Sequence, residues 1–206
     1  MSQYDKNPPL LEAEVLPDPL AQFGRWMADA ETAGLIEPTA MTLATVNARG
    51  QPSARMVLFK GLHDGAFTFY TNYKSRKGVE LSHQPNVALL FWWDHLQRQV
   101  RIEGRAQRLT QELSRKYFHS RARLSQIGAM TSRQSQVVAT RAELDARLQA
   151  NTEKLEGQDV PHPEFWGGFG VKPEAMEFWQ GRRDRLHDRL LYRREKSAWR
   201  IERLEP

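Results

Sequence analysis

Cysteine is missing from the 206-residue chain. Its absence excludes disulfides and thiolate metal sites, and it suits a reducing compartment, so a cytoplasmic protein is expected. Long apolar runs are missing too. The longest, VALLFWW at 87–93, falls far short of the roughly 20 residues that a membrane-crossing helix needs. No charged n-region, apolar h-region and small-residue cleavage site opens the chain, and no secretory signal is expected. No GxGxxG or GxxxxGK opens a helix after a strand, which removes Rossmann and P-loop readings. The six histidines are scattered and no HExxH occurs, so no metal site is expected. Internal repeats and low-complexity linkers are also lacking.

What is present is ordinary globular composition, 40% hydrophobic and 27% charged, in a chain long enough for one full core. The net charge of +5 hides an asymmetry, since residues 1–40 carry −5 and the remainder +10. Such an excess can serve nucleic acid, a membrane surface or small phosphorylated ligands.

Residues 1–17 are Pro-interrupted and read as a flexible N-terminal arm, with 18–206 as a single domain. Asp18 is a good N-cap, Pro19 fits the first helical position, and Leu20, Phe23, Met27 and Ala30 form an apolar stripe before Gly34. From residue 41 the period changes to two. MTLATVN, ARMVLFKGL and AFTFYTN are strand-like, with Asp64-Gly65 as a hairpin signal between the last two. KSRKGVELSHQ reads as a short helix. NVALLFWW is apolar throughout and reads as a strand buried on both faces, followed by the strand RQVRIEGRAQRL. TQELSRKYFHSRARL and TRAELDARLQANTEKLEG are helical, the latter with a Thr140/Glu143 capping box and Gly157 at its end. EAMEFWQ, DRLLYRRE and SAWRIERL are strand-like. The class is mainly β with peripheral helices (α+β): an antiparallel sheet or barrel with helices packed around it.

Three places suit an anion. In NYKSRKG, Ser75 as N-cap puts Arg76 and Lys77 in the first helical turn, where cations oppose the helix dipole unless a phosphate joins them; alternatively both splay into water. Tyr117, Arg121 and Ser125 at i, i+4 and i+8 would share one helix face and could all donate to one oxyanion, or could pack on a solvated face. The segment EFWQGRRDRLHDRLLYRRE, 177–195, holds six arginines and a histidine. If RDRLHDRLL is a strand, Arg185, His187 and Arg189 alternate onto one face, either lining a site or protecting an exposed edge by charge.

The stretches ARMVLFK, FYTNYKSRKG, RQVRIEG, KYFHSRARLSQIGAM, SRQS, FWGGF, EFWQG and RLHDR occur in the order and spacing found in pyridoxamine/pyridoxine 5′-phosphate oxidases. From about residue 18 onward the chain resembles that family. The resemblance implies an FMN-binding antiparallel split β-barrel working as a homodimer, with FMN held at the subunit interface. It implies FMN contacts at Arg55, Met56, Val57, Leu58, Phe59 and Lys60, and at Tyr70, Thr71, Arg76 and Lys77. Gln99, Gln134, Ser135, Trp179 and Arg189 complete that set. For the substrate phosphate it implies Lys60, Tyr117, Arg121 and Ser125, with Arg185, Leu186 and His187 against the pyridine ring and Arg185 and His187 as the catalytic pair. The implied reaction oxidises pyridoxamine 5′-phosphate or pyridoxine 5′-phosphate with molecular oxygen to pyridoxal 5′-phosphate, releasing hydrogen peroxide, and ammonia from the amine. No nucleic acid, membrane or metal takes part. Which of Arg185 and His187 acts, if either serves as a base, does not follow from the sequence; arginine is a poor base because it stays protonated.

The chain departs from relatives that carry a basic run before the first helix: the matching segment is LLEAEV, and the arm offers Tyr4 and Lys6 but no arginine. Gly170 also replaces a charged residue of some relatives. Two other readings compete, a split-barrel flavin reductase with a different electron donor and a basic β-barrel that binds nucleic acid. The second is disfavoured because the cations sit in discrete motifs with hydroxyl partners rather than in one continuous stripe.

Overall fold

The computed structural model describes Tyr4 and residues 7–206; Lys6 and, apart from Tyr4, the other residues before Asn7 lie outside the described residues. Among these there are five α-helices and nine strands. Helix α1 (Pro19–Thr32) precedes β1 (Ala40–Val46), β2 (Pro52–Leu58), β3 (Leu62–His63) and β4 (Ala66–Asn72). Helix α2 (Arg76–His83) leads to β5 (Asn86–Trp93) and β6 (Arg98–Arg108). Helices α3 (Gln111–Ser120), α4 (Arg123–Thr131) and α5 (Arg141–Lys154) then form one run, followed by β7 (Trp166–Gln180), β8 (Asp188–Glu195) and β9 (Ala198–Arg203). None of the helices is long and apolar enough to cross a membrane.

All strand pairs are antiparallel, in the order β2-β1-β5-β6-β7-β4-β3 with β8 and β9 added beside β7. The 15-residue β7 joins the two parts of the sheet. It pairs along its length with β6, while its first half pairs with β4 and its second with β8. A register shift opposite Glu103/Gly104 separates the halves, where the extra residue of a bulge bends the strand. Lys60 N donates to Thr68 O and Thr68 N to Gly61 O, so the end of β2 reaches β4. The ladder goes no further and the sheet stays open: a split barrel. The Asp64-Gly65 signal is realised as a hairpin with φ of 49° and 72° at its two central residues.

Helix α1 closes one side. Asp18 Oδ1 accepts from Leu20 N at 3.1 Å, and Phe23, Trp26, Met27 and Ala30 face inward. Phe23 meets the rings of Phe59, Phe67, Phe91 and Trp93 with centroids 4.8–6.1 Å apart. This aromatic cluster is the centre of the main core. A second, smaller core of Phe118, Ile127, Leu155, Val160 and Trp166 glues the α3–α5 layer to the start of β7.

Three expectations need correction. NVALLFWW is buried on one face only: Val87, Leu89, Phe91 and Trp93 are buried, while Ala88 and Trp92 are exposed. An antiparallel strand with helices on one side alternates in burial even when its composition does not. TQELSRKYFHSRARL is not one helix but breaks at Arg121, whose ψ of 154° ends α3. RDRLHDRLL is not one strand either: residues 183–185 form a 3-10 turn with φ of +58° at Asp184 and +65° at Arg185, and β8 begins at Asp188. Residues 7–17 carry neither helix nor strand; Leu10 and Val15 are buried and Tyr192 Oη donates to Leu16 O at 2.8 Å.

Removing the Phe23 ring would leave a void among four aromatic neighbours, so Phe23→Ala is expected to cost about 3–5 kcal/mol. Urea unfolding followed by tryptophan fluorescence measures it; a loss under about 1 kcal/mol would show that the cluster is not the centre of the core.

Candidate functional site

Strand β4 is buried at every position but Tyr70, which is half-buried and packs against the small core, and Thr71 and Asn72 close its end. The chain then turns tightly. Asn72 Oδ1 accepts from Lys74 N at 2.8 Å, Ser75 caps α2 by accepting from Gly78 N, and Lys77 is carried into the first helical turn. Glycine is required at 78, because a Cβ there would lie 2.3 Å from Tyr73 O, a backbone atom that cannot step aside. Across from this turn stand α3, the break at Arg121 and α4. Between the two lies a cleft of about 550 Å³.

Its walls combine β2 (Met56, Val57, Leu58 and then Lys60), β4 and α2 (Tyr70, Thr71, Asn72, Lys77), and the helical layer (Tyr117, Arg121, Ser125, Gly128, Ala129). Ser132, Gln134 and Trp166 complete them. Tyr117 stacks on Tyr70 with centroids 3.8 Å apart, and Trp166 lies parallel to Tyr70 at 5.7 Å. The Arg121 guanidinium lies 4.8 Å from the Trp166 ring centre. The helix break therefore preserves the grouping of Tyr117, Arg121 and Ser125 by another route: two short helices at an angle aim them into one space.

The charge in this cleft is one-sided. Among the described residues, Lys60, Lys77 and Arg121 line it and no carboxylate does. Lys77 Nζ is held by neutral oxygens only, Thr71 Oγ1 at 3.2 Å and Gln134 Oε1 at 3.1 Å. Burial lowers its pKa, with the nearby Arg55 charge adding to the effect. Arg121 Nη1 is buried without a hydrogen-bond partner, and burial lowers this residue's pKa as well. Burial raises that of Tyr70. A buried guanidinium N–H left unpaired costs on the order of 1–3 kcal/mol or more, which an anion in the cleft would relieve. The residues present therefore fit a phosphate-bearing ligand or cofactor.

The other expected site residues do not line this cleft. The Arg55 guanidinium donates to Leu43 O, Thr45 Oγ1, Ser53 Oγ and Glu80 Oε2. Arg76 Nε donates to Glu80 Oε1 at 2.9 Å, and Phe59 is part of the core. Ser135, with φ of +70°, follows Gln134 and faces an adjoining cavity. Gln99, Trp179 and Arg189 form a row across β6, β7 and β8, with Trp92 of β5 at its end. Arg189 pairs bidentately with the buried Glu177, at 2.8 and 3.1 Å, and this bond raises its pKa. Next to the row, His187 packs on Trp179 with centroids 4.6 Å apart, and Arg182 N donates to its Nδ1 at 3.1 Å. That bond leaves the proton of the neutral ring on Nε2. Burial lowers its pKa and the Arg185 charge lowers it further, so the ring is neutral at pH 7. Arg185 and Leu186 are exposed. One protomer thus carries two clusters, a cationic cleft and a Trp179–His187–Arg185 rim.

Sequence reasoning missed Asn72, Trp166 and Glu80. The first two lie within motifs it quoted, FYTN and FWGGF, and the stacking role of Trp166 is invisible without the fold. Glu80 is hidden in an amphipathic helix. Burial would raise its carboxyl, but donors on Thr45, Ser53, Arg76 and Arg55 outweigh that and bring it to about 2.

Residues 27–152 match the family model described as pyridoxamine 5′-phosphate oxidase, and 166–206 match the pyridoxine 5′-phosphate oxidase C-terminal dimerisation region. The pyridoxine/pyridoxamine 5′-phosphate oxidase of Rubrobacter xylanophilus is 55% identical over 92% of this chain and 88% of its own. That of Acaryochloris marina is 54% identical over 96% and 90%. Among solved structures, PhzG from Burkholderia lata in complex with tetrahydrophenazine-1-carboxylic acid superposes with a TM-score of 0.90 at 30% identity, over 96% of this chain and 98% of that one. A pyridoxamine 5′-phosphate oxidase-related, FMN-binding protein from Nostoc punctiforme shares the fold, with a TM-score of 0.72 at 15% identity over 96% and 98%.

Glu80 supplies a pH test. Its carboxyl is held at about 2 against an ordinary 4.5, so its contribution of about 3 kcal/mol is complete above pH 4.5 and disappears as pH falls toward 2. Glu80→Gln is expected to be less stable than the parent at pH 7 by that order, with the gap closing in acid. Denaturant titrations at pH 7, 4 and 3 measure it, and a gap independent of pH would refute the assignment.

Proposed function

The chain belongs to the pyridoxamine 5′-phosphate oxidase family, and from that premise we propose that it is an FMN-dependent oxidase converting pyridoxamine 5′-phosphate and pyridoxine 5′-phosphate to pyridoxal 5′-phosphate in the cytoplasm. The observation that carries this reading is the cleft lined, among the described residues, by three cations and no carboxylate, one of them a guanidinium with an unpaired buried N–H. The reaction involves two phosphate esters, the cofactor's and the substrate's. Lys77 with Thr71 and Gln134 would hold the first, and Lys60, Tyr117, Arg121 and Ser125 the second. Charge-assisted bonds of this kind contribute roughly 1.5–3 kcal/mol each.

Bound FMN would supply the hydride acceptor, with molecular oxygen as the final oxidant and hydrogen peroxide as product. The chain's residues do the rest. The planar wall of Tyr70, Tyr117 and Trp166 gives a flat, water-excluding surface beside the phosphate donors. Lys60, exposed at the end of β2, can reach either ester. His187 and Arg185 would orient the pyridine ring, His187 donating from Nε2 and Arg185 remaining a fixed cation. A neutral imidazole can also take up the proton that leaves the substrate amine or alcohol.

These two residues do not line the cleft of their own protomer. A homodimer, which the matched dimerisation region supports, would bring the rim of one subunit to the cleft of the other, with FMN between them. The exposed face of β2 and β5, with Met56, Leu58 and Trp92, supplies apolar surface for such a contact.

The test is a visible spectrum followed by turnover. Purified protein is expected to be yellow, to bleach anaerobically with pyridoxine 5′-phosphate and to release peroxide in air. Colourless protein that FMN does not restore would overturn the reading. A flavoprotein inert to both substrates would point instead to a reductase. Arg121→Ala is expected to raise KM for the phosphorylated substrates about ten- to a hundredfold with FMN retained, and Lys77→Ala to weaken FMN retention. Arg185→Leu is expected to keep FMN while turnover collapses.

A further inference from the structure

In the segment from Gly181 to His187, Gly181 N donates to Gln97 O at 2.8 Å, Arg182 N to His187 Nδ1 at 3.1 Å and Leu186 N to Arg183 O at 3.3 Å. Two consecutive non-glycine residues, Asp184 and Arg185, sit at φ of +58° and +65°, a region that favours glycine and that such residues keep only when their surroundings hold them there. Yet this loop presents Arg185 and His187.

The surroundings are an N-terminal strap. Asp188, the residue after His187, has its two carboxylate oxygens shared between separate chain segments. Oδ1 accepts from Arg203 Nη1 at 2.9 Å, and Oδ2 accepts from Leu10 N at 3.0 Å. Arg203 in turn grips Glu12 bidentately, at 2.8 and 2.9 Å, and donates to Leu10 O at 2.7 Å. The bond to Arg203 holds the Glu12 carboxyl at about 2. On the loop side Arg182 donates to Asn7 O, and Tyr4 sets its ring edge-on to His187 at 5.4 Å. Strap, last strand and loop meet at one carboxylate.

We propose that Asp188, Arg203 and Glu12 are positioning residues: they clasp the N-terminal strap to the last strand and thereby fix the loop that presents Arg185 and His187 to the substrate. The proposal rests on the functional reading above. None of the three lines the cationic cleft of its own protomer, and their effect on turnover is expected to pass through the loop. Removing the clasp frees Arg185 and His187 to leave their productive positions, which lowers turnover without weakening the cofactor.

The experiment compares the FMN-loaded parent with Arg203→Gln, Arg203→Lys, Glu12→Gln and the Glu12→Gln/Arg203→Gln double variant. The readouts are FMN dissociation constant, oligomeric state, and kcat and KM for pyridoxine 5′-phosphate at 25 °C. The expected result for Arg203→Gln is at least a tenfold fall in kcat/KM with FMN affinity within twofold of the parent. Arg203→Lys, which keeps the charge but not the fork, should recover part of that loss. Glu12→Gln, an exposed change that does not threaten folding, should cost several-fold, and the double variant should be no worse than Arg203→Gln alone. Unchanged kcat/KM in folded, FMN-loaded Glu12→Gln and Arg203→Lys would overturn the proposal, and so would a melting-temperature loss with intact kinetics. Loss of FMN in step with activity would overturn it as well. A parent that neither binds FMN nor releases peroxide overturns the functional reading and this proposal with it, whereas an active parent with unaffected variants overturns the clasp alone.

Discussion

Neutralisation of positive charge governs how this structure is arranged. With thirty lysines and arginines against twenty-five acids, the fold cannot give every cation a carboxylate, and it allocates them unevenly. Arg55 and Arg76 share Glu80; Arg101 and Arg189 share Glu177; Arg182 and Arg203 share Asp188. Around the cleft between β4 and the α3–α4 layer the allocation stops, and among the described residues Lys60, Lys77 and Arg121 line it with no carboxylate in its walls. Mutual repulsion and desolvation make that arrangement costly when empty and favourable around a phosphate. A site of this kind is stable in proportion to what it binds.

The scaffold makes that concentration of charge tolerable. Strand β7 spans both parts of the sheet, so the start of β7 and its partner β4 form one rigid wall while its other end carries β8. The main core under α1 takes residues from β4, both halves of β7 and β8, and the small core under α3–α5 is anchored at the start of β7. Repelling side chains on rigid elements cannot relax by moving apart, as they would on a loop. The loop with Arg185 and His187 is the exception, and it is the part most dependent on contacts from a distant segment.

Two of the buried acids are as telling as the cations. Glu80 takes hydrogen bonds from Thr45, Ser53, Arg55 and Arg76, and so fastens α2 to β1 and β2 directly behind the turn that presents Lys77. Glu177 does the same for Arg189 beneath the rim. A buried carboxylate with so many donors sets the position of its partners. Both lie one layer behind residues that the family resemblance implicates in cofactor contact.

Much was legible from the chain alone. Period-two alternation, the Asp64-Gly65 turn, the Asp18-Pro19 start of α1 and the Ser75 cap are local, and local sterics and hydrogen bonds decide them wherever the segment lies. The motifs also named the cleft residues Lys60, Lys77, Tyr117, Arg121 and Ser125. The chain could not show that the helix breaks at Arg121, since that depends on α4 turning to bury Ile127 with Phe118 and Trp166. Nor could it show that β5 buries only one face, because burial is a property of neighbours, or that RDRLH is a turn held by Asp188 and Arg203. Which arginines face a carboxylate and which face a cavity was settled only when separate elements came together in space, since Coulomb energy depends on distance in space and the sequence records only distance along the chain.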